Sequence, residues 1–216
     1  MSDFSEAERG ALYRAIRLRR DVRAQFTSDP VPDEILLRIL GAAHMAPSVG
    51  LSQPWRFIVV RDATARAAVH EAFLCANAAA ARAYSEGRAQ RYNSLRLEGI
   101  RSAPVNICVT CDDAPERGHG LGRQTMPETA RYSTVCAIQN LWLAARVEGL
   151  GVGWVSILDP QSLRAIFQIP AAVTIVAYLC LGYTSGFASA PDLESAEWET
   201  RVPLPDVVDY ERYHQR

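Results

Sequence analysis

Lysine is absent from this chain, and all 23 of its cationic side chains are arginine. No side-chain amine is therefore on hand for a Schiff base or for a Walker-type phosphate loop. Nor does any apolar stretch approach the roughly 20 residues of a membrane-spanning helix. The formal net charge is only -1, so no global field draws nucleic acid or an anionic membrane. The start, Met1-Ser2-Asp3-Phe4-Ser5, lacks the basic-then-apolar pattern of a secretory signal, and a cytoplasmic location is expected. What is there suffices for one sizeable core: 216 residues, 49% of them apolar. No internal repeat and no interdomain linker interrupts it, so residues 1–216 read as a single domain.

The cysteines and histidines do not make a metal site. Cys75, Cys136 and Cys180 stand singly in apolar surroundings, as small buried hydrophobes do. Cys108 and Cys111 form a C-x-x-C, but they lie in the strand-like run Pro104–Cys111. Residues three apart on a strand point to opposite faces, so the two sulfurs should diverge. His44, His70, His119 and His214 are scattered and complete no ligand set.

Periodicity alternates between helix and strand. Ser5-x-x-Glu8 has the form of a capping box opening a helix toward Arg19. Pro30-Val31-Pro32 precedes a second helix with Ile35, Leu36, Ile39, Leu40 and Ala43 on one face. A short strand at Phe57–Val60 is followed by an alanine-rich helix from about Ala63 to Tyr84. A further helical stretch carries Tyr92, Leu95 and Leu97 before a strand at Val105–Cys111. Residues 112–127, rich in Gly, Pro and charge, are too long for a plain connection and read as a mobile flap. A long helix from Glu128 to Glu148 bears Val135, Ile138, Leu141, Trp142 and Ala145, and Gly149 and Gly151 stop it. Strands at Val152–Leu158 and Val173–Leu181, split by a helix at Pro160–Phe167, complete an α+β domain. From Thr184 onward periodicity is lost and prolines recur.

Two segments carry chemistry. Arg19-Arg20-Asp21-Val22-Arg23 sets one carboxylate among guanidiniums at the end of an apolar-periodic helix (Leu12, Ala15, Ile16, Leu18). Arginine's planar fork matches phosphate oxygens and flat anionic heterocycles; a solvated helix end, where cations suit the dipole, is the alternative. Ala46-Pro47-Ser48-Val49-Gly50-Leu51-Ser52-Gln53-Pro54-Trp55 is a structured loop offering hydroxyls, an amide and free backbone N–H groups. Such groups read the edge of a uracil-like ring, although an ordinary polar turn would use the same residues.

Arg-Arg-x-x-Arg followed by Ala-Pro-Ser-x-x-x-x-Gln-Pro-Trp before a strand resembles the FMN-dependent nitroreductase superfamily. Gly149-Leu150-Gly151-Val152-Gly153-Trp154 and Arg201-Val202-Pro203-Leu204 come in the family's order, so the resemblance runs from about Leu12 to Arg201. It implies a central mixed, mostly antiparallel sheet flanked by helices in an intertwined homodimer. The Glu128–Glu148 helix would lie in the dimer core, and the segment from about 184 would be an exchanged arm; a solvated tail is the other reading. The residues matching the family's FMN contacts are Arg19, Arg20, Asp21, Val22, Arg23, Ser48, Ser52, Gln53, Trp55, Ser156 and Arg201. No metal is implied.

Within the superfamily, Asp21 and Ser156 set this chain apart. Ordinary nitroreductases usually carry Ser at the first position and tend to have Gly at the second. Both residues are similar to those of a subgroup that fragments reduced FMN with O2 to 5,6-dimethylbenzimidazole and D-erythrose 4-phosphate, for the lower ligand of vitamin B12. The resemblance implies Asp21 and Ser156 as catalytic residues. Asp21 would be the base at the carbon next to N10, provided burial outweighs its arginine neighbours, and Ser156 would be a hydroxyl near N5. It also implies a separate NAD(P)H-flavin reductase supplying reduced FMN. An NAD(P)H-dependent nitroreductase and a non-catalytic flavin-binding dimer are the other readings.

Overall fold

A computed structural model of the chain describes residues 3–213; His214 lies outside them. In chain order the elements are α1 (Glu6–Leu18), α2 (Asp33–His44), β1 (Trp55–Val60), α3 (Ala63–Ala81), α4 (Glu86–Ser94), β2 (Val105–Asp112), α5 (Thr129–Val147), β3 (Leu150–Val155), α6 (Pro160–Phe167), β4 (Val173–Tyr183) and α7 (Asp192–Ser195). The strands form one sheet in the order β1-β2-β4-β3, and every ladder is antiparallel. A single parallel bridge, Asp21 to Val152, makes it mixed, and an antiparallel bridge joins Phe26 to Thr184. This is the expected mostly antiparallel sheet between helices.

The sheet is covered on both faces, which is why β2 is buried along almost its whole length. Val105, Ile107 and Val109 face α2 and α5, together with Leu150, Val152, Leu179 and Leu181. Cys108, Tyr178 and Cys180 face the other way, against Val69 and Phe73 of α3 and Leu163 of α6. The alternation separates the C-x-x-C sulfurs as expected: Cys111 meets Thr134 of α5, while Cys108 is buried on the opposite face, where burial pushes its thiol up to about 12. Cys180 is buried too, but Cys75 and Cys136 are exposed, on the outer faces of α3 and α5. For these two the expectation of burial is corrected.

Local chemistry explains most of the boundaries. The capping box is formed, with the Glu8 N–H donating to Ser5 Oγ (3.3 Å) and the Ser5 N–H to Glu8 Oε2 (2.8 Å). Asp159 caps α6, with Pro160 in the first turn. Gly149 turns the chain out of α5 at φ +81°. Elsewhere the helices are shorter than periodicity suggested. α3 ends at Ala81, α4 ends at Ser94, and Leu95 is already extended (φ -75°, ψ 139°). Leu97 packs as loop against the α3/α6 cluster, so apolarity there reflects burial rather than helix. The strand after α5 starts two residues early and stops at Val155. Val135 is exposed, because the buried stripe of α5 runs through Thr134, Ile138, Leu141 and Ala145.

The tail is anchored at Trp198. Trp198 sits edge-on to Tyr84 (5.5 Å) beside Tyr92, with the Arg88 guanidinium over its ring. Val202, Leu204, Val207 and Tyr210 are exposed apolar side chains.

Candidate active site

The Arg19–Arg23 segment is built into the edge of the sheet rather than left as a solvated helix end. α1 stops at Leu18; Arg19 turns extended, and Val22 N–H donates to Val152 O (2.9 Å). Close approach requires glycine on β3: a Cβ on Gly153 would collide with the Val22 carbonyl, and one on Gly151 would lie 2.8 Å from a Val22 methyl. α5 holds the same segment from the other side. Trp142 Nε1–H donates to Arg20 O (3.1 Å), and Arg146 Nε–H donates to Leu18 O (3.1 Å). The Arg19 guanidinium lies over the Trp142 ring at 4.9 Å. Trp142 and Arg146 are supporting residues that the sequence pattern did not single out, since their partners are backbone atoms distant in the chain.

Asp21 is gripped on both oxygens. Oδ2 pairs with Arg23 Nη2 at 2.7 Å, and Oδ1 accepts the Trp154 N–H at 3.1 Å. Burial raises its pKa above the ordinary aspartate value, outweighing Arg23, the Trp154 N–H and Arg19, all of which pull it down. The competition left open by the sequence is thus won by desolvation. Ser156, exposed, follows β3 two residues beyond Trp154.

The four arginines have different roles. Arg20 donates to the carbonyls of Arg17, Arg19, Ala188 and Ser189 and so ties the start of the tail to α1. Arg23 is committed to Asp21 and the Arg96 carbonyl. Arg19 and Arg201 face a cavity of about 510 Å³ with Arg17, Arg20 and Gln139. Burial lowers the Arg19 pKa; Asp21 opposes this, while Arg20 and Arg201 add to it. Crowded, partly desolvated guanidiniums of this kind would be relieved by an anion. Val22 offers no side chain to a ligand, being 3% exposed with its N–H spent on β3; it positions its neighbours.

The loop residues form a second group. Ser48 Oγ accepts the Gln53 N–H (3.1 Å), and Val49 N–H donates to Ser133 Oγ (3.1 Å) near the start of α5. Gln53 has φ +47°, a left-handed conformation fixed by this turn. Ser52 is 2% exposed, and its Oγ has no partner among the described residues. Trp55 is buried, donating its indole N–H to His44 Nδ1 (3.2 Å). Ser52, Gln53 and Trp55 line a larger cavity of about 950 Å³, which contains none of the arginine cluster. The 112–127 stretch packs on this loop: Arg117 Nε–H donates to Leu51 O (3.1 Å), and Gly118 lies against Gly50. Arg123 ties the stretch internally through the Asp113 and Pro115 carbonyls, and Arg131 of α5 holds it through the Asp113 carboxylate.

Structure therefore unites Arg19, Arg20, Asp21, Val22, Arg23 and Arg201 with the end of β3, and separately Ser48, Ser52, Gln53 and Trp55. Both groups contact α5, at Trp142 and Ser133, about 13.5 Å apart along a helix axis. Among the described residues, no His/Cys/Asp/Glu group could hold a metal ion, and no helix is long and apolar enough to cross a membrane.

This fold and these motifs define a class: the chain belongs to the Nitroreductase family, whose profile matches residues 16–183. It is 48% identical to a 5,6-dimethylbenzimidazole synthase of Rhodospirillum rubrum, over 94% of this chain and 96% of that protein. A Rhodobacter capsulatus protein of the same name is 42% identical, over 93% of this chain and 97% of its own. Among solved structures, iodotyrosine deiodinase bound to FMN and 3-iodo-L-tyrosine superposes with a TM-score of 0.75 at 20% identity, covering 94% of this chain and all of that one. A BluB-like flavoprotein of Clostridium difficile gives 0.69 at 20% identity, covering 93% and 99%. These structural likenesses concern the fold.

Proposed function

We propose that the protein is an oxidoreductase that fragments reduced FMN, with O2 as co-substrate, to 5,6-dimethylbenzimidazole and D-erythrose 4-phosphate, for the lower ligand of vitamin B12. The observation that carries this reading is Asp21: a carboxyl locked between Arg23 and the Trp154 N–H whose pKa burial nonetheless raises. The names of the relatives sharing 48% and 42% of their residues with it point the same way.

The residues present fit FMN. Arg19 and Arg201 in their cavity suit its phosphate, and the unpartnered Ser52 Oγ and the Gln53 amide suit the polar edge of its ring. Bound reduced FMN supplies the electrons for oxygen chemistry and the ribityl carbon from which a proton must leave. Asp21 takes that proton, from the carbon bonded to N10, because a raised pKa makes it a better base near neutrality. Arg23 holds the carboxylate in place and stabilises its charged form. Ser156 would offer its hydroxyl toward N5, and the arginines would hold the anionic substrate.

One chain does not bring the two groups together, and its surface supports a second copy. No residue of α1 is buried, leaving Leu12, Tyr13 and Ile16 exposed, and β1 is the edge of the sheet. A homodimer would cover these surfaces and build each site from both chains; the segment from about 184 packs on its own chain as far as Trp198, so the stretch beyond it is the part that would reach the partner. Reduced FMN would come from a separate NAD(P)H-flavin reductase in the cytoplasm.

The test is anaerobic. Protein loaded with FMN is reduced chemically, exposed to air, and its small molecules are analysed by mass spectrometry. Dimethylbenzimidazole with loss of flavin is expected. Full recovery of oxidised FMN by folded, flavin-loaded protein would sink the proposal and turn attention to NAD(P)H oxidation and nitroaromatic acceptors.

A further inference from the structure

His44, the last residue of α2, has two polar partners that between them fix its chemistry. The Trp55 indole, a donor with no acceptor capacity, directs its N–H at His44 Nδ1 (3.2 Å). That nitrogen must therefore hold a lone pair, and in the neutral ring the proton sits on Nε2. His44 Nε2 in turn stands 3.4 Å from the Gln53 side-chain amide nitrogen. Two donors do not bond to each other. The oxygen and nitrogen of a carboxamide are nearly alike in shape and are assigned from the network around them. The consistent assignment turns Gln53 Oε1 toward the His44 Nε2–H and the Gln53 NH2 away from it. Gln53 begins from a fixed point, since its backbone N–H is held by Ser48 Oγ and its φ is +47°. Trp55 is 6% exposed, so the relay starts from a buried anchor.

We propose that His44 is a positioning residue: anchored by Trp55, it locks the Gln53 amide as a hydrogen-bond donor toward the acceptor edge of the flavin ring. This rests on the reading of FMN as the substrate. The relay gives Gln53 a polarity. Its NH2 can serve a carbonyl oxygen or a deprotonated ring nitrogen, and it cannot serve a ring N–H. A donor so oriented favours the reduced, anionic ring over the neutral oxidised one, because hydrogen bonds to charged acceptors are stronger.

The experiment has two readouts, both on the full chain. First, imidazole 15N spectra of the folded protein at about pH 8.5, where an ordinary histidine is neutral, should show His44 protonated on Nε2 and bare on Nδ1. The opposite tautomer overturns the proposal. Second, FMN dissociation constants are measured anaerobically for wild type, His44→Asn, Gln53→Ala and the double variant, with oxidised and with chemically reduced flavin. Asparagine can still accept from Trp55 but is too short to reach Gln53. His44→Asn should weaken reduced FMN about tenfold, the scale of one hydrogen bond, and oxidised FMN less. In the double variant the His44 change should add nothing to the loss caused by Gln53→Ala. Additive losses would mean that His44 acts by packing alone, and the proposal would fall. Wild-type protein that bound no FMN would overturn the flavin reading instead, while the tautomer would still report on the relay itself.

Discussion

At the residue scale, Asp21 holds two opposed influences in one side chain. Asp21→Asn preserves size and an acceptor for the Trp154 N–H, so FMN should remain bound while fragmentation stops; an active variant would remove Asp21 from the role of base. The substitution also has a stability signature. A carboxyl whose pKa is raised on folding binds more protons folded than unfolded, so wild-type stability falls as pH rises from the ordinary aspartate value of 3.8 to the raised value, then levels. Asparagine does not titrate. The melting temperature of Asp21→Asn relative to wild type should therefore climb across that window, and a flat difference would mean that burial does not dominate. Ser156→Gly removes a hydroxymethyl group from an exposed position. Product yield per flavin reduced should drop, with simple reoxidation taking its place; unchanged yield would make Ser156 structural.

At the element scale, β3 is the part whose composition is dictated by its neighbour. Gly153→Ala drives a methyl into the Val22 carbonyl. It should cost about 1–3 kcal/mol, with the melting point falling about 2–4 °C per kcal/mol, and should weaken FMN binding by displacing Asp21. Gly41→Ala in α2 meets nothing within 4 Å and serves as the contrast. An equal melting point for the two variants would refute this account of the close contact. Elements were legible in the sequence wherever local chemistry fixes them: the Ser5 box, the Asp159-Pro160 start of α6, the Gly149 stop. They were misjudged where tertiary burial imitates periodicity, as at Leu95 and Leu97, or where a helix's phase is chosen by its partners, as at Val135. Arg19 to Arg23 and Ser48 to Trp55 could be found as motifs. Trp142, Arg146 and His44 could not, because a donor aimed at a remote carbonyl or at a side chain elsewhere leaves no spacing to read.

At the scale of the whole molecule, the arginine group and the Ser48–Trp55 loop occupy different places on one chain, and a homodimer joining them makes a testable demand. Arg19→Ala and Gln53→Ala proteins should each bind FMN poorly as pure species. Co-expressed and purified as a mixed dimer, they should regain one intact site of the two. Titration by flavin fluorescence would show half-occupancy of high affinity; its absence would mean that each chain builds its own site.

α5 touches both groups, at Ser133 near one end and Trp142 and Arg146 near the other. It therefore works as a gauge block. One residue inserted between Ser133 and Trp142 would rotate one group by about 100° and shift it by about 1.5 Å relative to the other. The number of residues between its two grips is therefore fixed.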